Sequence, residues 1–265
     1  MKRRRLKAIR LEGVETMRER SCKRGGTVCA ILSVAGVFGV VAPALAGWGV
    51  ELTSGYRNVF AEELVNDFVD ESDSQSTSSM GYWDQSASAG FGAWSSQTSF
   101  LDVAGSIQGE GSATALTDDV PLGMDLDDTA SSTMEVNFSV TELMNYSLTG
   151  SLYIQTEDLD SGVHYASVTL MDLAGQVLAS SYLESIAWAE DLAEAYSHAG
   201  VLDVGEYTLI VHAYSHSYQN NGGNDMGTVG GTSAFDVVMA FSSVPSPGGL
   251  AILCLAAIGG RRRRA

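Results

Sequence analysis

Between residues 47 and 243 this chain has no cysteine, no lysine and a single arginine, Arg57. Each absence excludes a kind of chemistry. The three cysteines, Cys22, Cys29 and Cys254, lie outside that stretch, so no disulfide framework staples it and no thiol nucleophile serves in it. Without lysine there is no Schiff-base amine and no lysine base for acylation, and no Gly-x-Ser-x-Gly turn presents a serine. Covalent catalysis has no visible carrier, and the expectation is a protein that is not an enzyme. One arginine against 29 Asp and Glu leaves the stretch with a net charge of −28 when histidine is neutral. Nucleic acid is excluded as a partner, because binding phosphate draws on Lys and Arg to release condensed counterions. Anionic membrane surfaces are disfavoured likewise. Such charge serves solubility or tolerance of salt, or attracts divalent cations or a cationic matrix.

The cations missing from the middle are gathered at the two ends. Arg18, Arg20, Lys23 and Arg24 precede an uncharged apolar run from Val28 to Val41, Pro43 ends it, and Ala44-Leu45-Ala46 supplies the small-x-small pattern of a cleavage site. Residues 1–46 therefore read as an export signal, with Met1 or Met17 as its start. A signal peptidase would cut after Ala46 and leave Gly47 first. The run of about 14 residues falls short of the roughly 20 that a spanning helix needs.

The other end reads Val244-Pro245-Ser246-Pro247-Gly248-Gly249-Leu250, an apolar run from Ala251 to Ile258, two glycines, and then Arg261, Arg262, Arg263 and Arg264. Prolines break what precedes, a short apolar helix enters a bilayer, and arginines hold its end on the cytoplasmic side. From Val244 to Gly260 a helix at about 1.5 Å per residue reaches roughly 26 Å, a little under the hydrocarbon core of about 30 Å. This tail, residues 244–265, resembles the PEP-CTERM sorting signal found at the ends of many exported bacterial proteins, with Ser246 where that motif usually has Glu between the prolines. The resemblance implies export by the secretion machinery and processing near the prolines by an exosortase, a membrane transpeptidase-like enzyme. It also implies a setting in which exopolysaccharide is often made. A plain C-terminal membrane anchor is the other reading. Both place the chain at the cell envelope, the outer surface or the extracellular matrix.

Residues 47–243 read as one acidic domain. Apolar side chains alternate with polar ones at Met134, Val136, Phe138 and Val140, and the same period of two runs through 148–154, 166–170, 207–213 and 235–241. Turn residues fall between these runs, at Asp160-Ser161-Gly162, Gly175, Gly205 and the glycine-rich stretch 220–231. The pattern predicts an all-β, antiparallel β-sandwich, jelly-roll-like or Ig-like. Asp203 to Tyr207 looks like a tyrosine corner. The Ser-, Ala- and Gly-rich stretch 72–116 is punctuated by Trp83, Phe91, Trp94, Phe100 and Ile107, which favours strands of small side chains. Two segments have apolar residues four apart, Phe60, Leu64 and Phe68, and Trp188, Leu192 and Tyr196, and at most one is expected to be a helix.

No residue earns a catalytic or cofactor-binding role. Calcium has two candidate turns: Asp125, Asp127 and Asp128, where Ala130 and Val136 stand in place of the Gly and Glu of an EF-hand, and Glu157, Asp158 and Asp160 before Gly162. His212 and His216, four residues apart on a strand, span about 13 Å, too far to share one zinc. They are expected at the surface, as are His164 and His198. Three functions remain: a structural or adhesive envelope protein, a carbohydrate-binding module stacking sugars on Trp48, Trp83, Trp94 or Trp188, and a calcium-assisted hydrolase. An exposed row of aromatics on one sheet face is the feature that would favour the second.

Overall fold

A computed structural model describes residues 49–90, 92–102, 105–117, 124–157, 162–185, 191–220 and 228–244. They form twelve strands: β1 (Val50–Val65), β2 (Phe68–Thr77), β3 (Gly81–Ala89), β4 (Ala93–Asp102), β5 (Ser106–Thr117) and β6 (Asp125–Val140), then β7 (Met144–Thr156), β8 (Val163–Asp172), β9 (Val177–Ser185), β10 (Asp191–Leu202), β11 (Gly205–Asn220) and β12 (Val229–Ser243). The chain is all-β, in two six-stranded antiparallel sheets that form a β-sandwich. The first has the order β2-β1-β6-β11-β8-β9 and the second β10-β7-β12-β5-β4-β3.

The five runs of strict alternation all lie in strands, β6, β7, β8, β11 and β12, and each turns its apolar set inward. Met134, Val136, Phe138, Leu148, Leu152, Val168, Leu170, Leu209, Val211 and Val237 join one core between the sheets. The stretch 72–116 forms the end of β2 and then β3, β4 and β5. Its Ala87, Ala89 and Ala93 build a separate core patch with Val59 and Ala61 of β1, with Trp83 at its border.

Neither suspected helix forms among the described residues. Residues 50–65 are β1 and 191–202 are β10. The reason is arithmetic: a spacing of four returns a side chain to the same face in a helix of period 3.6 and in a strand of period two alike. The β1–β2 connection is a tight turn in which Asn66 and Asp67 both take positive φ, 51° and 63°, the conformation that two-residue hairpin loops need and that Asn and Asp tolerate. The tyrosine corner is present: the Tyr207 hydroxyl donates to the Asp203 carbonyl at 2.9 Å, and its ring stacks on Phe138 with centroids 5.6 Å apart.

The lone cation of the middle stretch is inside. Arg57, on β1, is 1% exposed. Its guanidinium donates to the Gly81 carbonyl at 2.9 Å, to Ser99 Oγ at 3.2 Å and to the Ser79 carbonyl, and lies over the Trp83 ring at 5.6 Å. Arg57 thus reaches from the first sheet to β3 and β4 of the second. Burial lowers its pKa from the ordinary arginine value.

Candidate functional site

Alternation gives each sheet an outer face as well as an inner one. On the first sheet, the outward residues of β9, β8 and β11 bring three tyrosines into contact. Tyr214 stands opposite Tyr165 in the β11–β8 register, and Tyr182 lies on the next strand. Tyr165 and Tyr214 stack, with ring centroids 5.1 Å apart and planes at 25°. Tyr182 continues the row, 6.0 Å from Tyr165 at 31°. His212 closes the patch, its ring edge-on to Tyr165 at 5.2 Å and 79°. Three neighbouring strands about 4.8 Å apart carry the row, so it extends roughly 10 Å across the sheet.

The rings are held, and their rims are polar. Tyr182, 52% exposed, hydrogen-bonds Glu184, and Tyr214 hydrogen-bonds Thr129. Thr169 and Ser180 pair beside the row at 3.3 Å. Burial is the main reason the Tyr165, Tyr182 and Tyr214 hydroxyls titrate above the ordinary tyrosine value, with Glu184 adding to the shift at Tyr165 and Tyr182. Burial also lowers the His212 pKa. At neutral pH the patch is therefore four uncharged rings standing against one another on the outer sheet face. Stacked in this way, the rings turn their faces to one another and present edges and hydroxyls outward, and Tyr182, on edge strand β9 and half exposed, is the ring whose outer face is left to a ligand.

The tryptophans do not make such a row. Trp83 lies at the Arg57 guanidinium. Trp94, 41% exposed, is on the outer face of the second sheet, six residues along β4 from the exposed Phe100, which pairs with Tyr82. Trp48 and Trp188 lie outside the described residues. The second sheet's outer face is instead acidic. Asp84, Glu110 and Asp236 stand along one row across β3, β4, β5 and β12. Glu110 faces Asp236, and burial followed by that neighbouring charge raises the Glu110 pKa.

The first calcium candidate is not a turn. Asp125, Asp127 and Asp128 open strand β6, and alternation sends Asp127 outward and Asp128 inward. Asp127 contacts His216 Nε2 through Oδ1 at 3.0 Å. Asp128 is 0% exposed, neither of its carboxylate oxygens has a hydrogen-bond partner, and it stands opposite Glu63 of β1. Burial first, then Glu63 and Asp127, push its pKa up to about 7. Of the second candidate, Glu157 follows β7, its amide donating to the Gly230 carbonyl at 2.8 Å. Asp158 and Asp160 lie outside the described residues. Among the described residues no three His, Cys, Asp or Glu side chains gather as metal ligands.

The histidines are less superficial than their spacing suggested. His164 is fully buried, on the inward face of β8, and His212 is half-buried beside Tyr165 and Tyr214. His198, on β10, bonds Ser181, on β9, at 3.0 Å and so joins the edges of the two sheets. Ala44, Ala46 and Gly47, and Pro245, Ser246, Pro247 and Arg261 to Arg264, lie outside the described residues. Val244 is the last one inside, its amide 3.4 Å from the Leu143 carbonyl. Among the described residues no helix is long and apolar enough to cross a membrane.

No family model matches this chain, and no curated protein does. Solved structures with local likeness include the enzymatically active domain of tailspike protein 4 from bacteriophage CBA120, at 10% identity and a TM-score of 0.21, covering 48% of this chain and 17% of that one. Another is TmCBM61, solved in complex with β-1,4-galactotriose, at 10% identity and a TM-score of 0.21, covering 49% and 81%. A third is the Gx strain of infectious bursal disease virus, at 10% identity and a TM-score of 0.19, covering 81% and 74%. Likenesses at these scores decide neither fold nor activity.

Proposed function

We propose that this chain is an exported, non-catalytic glycan-binding protein whose binding face is the Tyr182–Tyr165–Tyr214 row, on a jelly-roll sandwich. The observation that carries the reading is that row: three tyrosines in contact across adjacent strands, on the outer face of a rigid sheet, with a polar rim. Pyranose rings have an apolar face that can stack on the outer face of Tyr182 and a hydroxyl edge that can hydrogen-bond the hydroxyls along the row. The order β5-β12-β7-β10 opposite β6-β11-β8-β9 supports the jelly roll over the Ig-like alternative. Within β5–β12 only β8 to β9 stays in one sheet, and every other connection crosses between sheets.

The charge narrows the glycan. With Glu184 beside the row and a net charge of −28 over residues 47–243, uronate-bearing or sulfated chains are repelled and neutral polysaccharides are favoured. Affinity electrophoresis through gels of neutral β-glucan or galactan, beside alginate, tests this. Retardation is expected in a neutral gel and none in alginate, with about a tenfold loss of affinity for Tyr182→Ala or Tyr165→Ala, which is about 1.4 kcal/mol. Unaltered retardation in both variants would remove the row from the reading, and no retardation by any neutral glycan would end it.

Export and tail processing belong to the same proposal, supported by the signal over residues 1–46 and the PEP-CTERM-like tail over 244–265. Intact mass with terminal peptide mapping, on protein from envelope and medium fractions of the native cells, is expected to show a species from Gly47 to near Val244. Retention of Arg261 to Arg264 would establish a plain anchor in place of sorting.

A further inference from the structure

The sandwich interior changes character toward one end. Where β1 ends and β6 begins, the inward row across β1, β6 and β11 is Glu63, Asp128 and Ser217, three polar side chains in register between the sheets. Asp128 and Ser217 are each 0% exposed and Glu63 is 7% exposed. Ser217 Oγ has no hydrogen-bond partner and neither does either Asp128 oxygen, so these neighbours stop short of each other although their backbones are paired. The side-chain polar atoms of this row are all oxygens. Three buried oxygen atoms without a partner, beside a second carboxylate, form an environment that water-free packing does not satisfy and that a positive charge does.

The opposite wall fits the same conclusion. A Cβ on Gly92 would collide with Asp128 Oδ2 and with the Leu116 carbonyl oxygen, so that backbone oxygen lies beside Asp128. A Cβ on Gly90 would collide with the Glu63 carboxylate. Gly90 and Gly92 therefore lie against the two acids, and their lack of side chains leaves room for the carboxylates and a carbonyl.

We propose that Glu63, Asp128 and Ser217, with the Leu116 carbonyl, hold a divalent hard cation of the Ca²⁺ class between the sheets. An all-oxygen set with two carboxylates and neutral oxygens is the chemistry such ions take, with Ca²⁺ accepting irregular geometry and Mg²⁺ demanding an octahedron. Two formal charges place the affinity in the range of extracellular modules, about 10⁻⁴ to 10⁻³ M. The ion ties β1, β6 and β11 together where apolar packing gives out. It acts structurally, so it is independent of the tyrosine row.

The test is thermal unfolding of protein stripped with EDTA, then in 5 mM CaCl₂ or 5 mM MgCl₂ at constant ionic strength. Ca²⁺ is expected to raise Tm by roughly 2–9 °C, and Mg²⁺ by clearly less. In Asp128→Asn and Glu63→Gln the Ca²⁺-dependent rise is lost whatever the starting Tm, while Asp236→Asn, on the outer face of the second sheet, keeps it. No rise with Ca²⁺, an equal rise with Mg²⁺, or a rise that survives in Asp128→Asn overturns the site.

Discussion

In metal-free buffer, Asp128→Asn is expected to leave stability near pH 4 almost unchanged and to raise it by about 2–4 kcal/mol at pH 8. The sign follows from the direction of the shift. The folded protein holds the Asp128 carboxyl at a pKa of about 7, above the unfolded value near 3.9, so the fold prefers the protonated form. Stability from this group is complete below about pH 4, declines as pH rises from there to about 7, and is flat above. Three units at about 1.36 kcal/mol each set the ceiling near 4 kcal/mol. The cause is local: an inward strand position with no donor to its oxygens and Glu63 as its cross-strand neighbour. Asn keeps the shape, carries no charge and offers its amide to the Glu63 carboxylate. Urea unfolding at pH 4, 6 and 8 measures the slope. A wild-type midpoint independent of pH, or an Asn variant that follows the same curve as wild type, would contradict this account.

Arg57→Met is expected to destabilise the sandwich by roughly 3–5 kcal/mol, the range for removing one partner from a buried charged network. Met keeps the stem volume but leaves the buried Ser99 Oγ and the Gly81 and Ser79 carbonyls at the sandwich margin without their donor. It also removes the cation from the Trp83 face. Arg57→Lys recovers only part, since a single ammonium does not reproduce a planar fork that reaches three acceptors on two chain segments. Urea midpoints rank the variants wild type, Lys, Met. A Met variant within about 1 kcal/mol of wild type would show that the clamp contributes little.

How much of this was legible in the sequence depends on the range over which each feature is encoded. The strands were legible because alternation is local: residues 134–140 announce β6 within seven positions. The tyrosine corner was legible for the same reason, since Asp203 and Tyr207 are four apart. Helix and strand were confused where only every fourth residue was apolar, as at Phe60 and Leu64, because both periods pass through four. The tyrosine row was not legible. Tyr165, Tyr182 and Tyr214 are scattered over fifty positions and meet only through the β11–β8–β9 register, which depends on the order of strands in the sheet. Tryptophan, the largest ring, does not mark it: Trp83 lies at Arg57. Asp127 and Asp128 read as one acidic cluster because they are adjacent, and adjacency on a strand is what separates them. The burial of Arg57 had one faint signal, its isolation among 29 acids.

That isolation also decides where a protease can cut the domain. A protease that cuts after lysine or arginine has one peptide bond to attack between residues 47 and 243, the Arg57–Asn58 bond. It lies in mid-strand in β1, paired on both sides, with the specificity-bearing side chain enclosed between the sheets. Trypsin-like enzymes therefore find no handle on the folded domain and must wait for it to open. Even then they nick it once near its beginning, and the long remainder from Asn58 through Ser243 survives as one piece. The scarcity of cations in the domain's surface thus doubles as resistance to trypsin-like digestion.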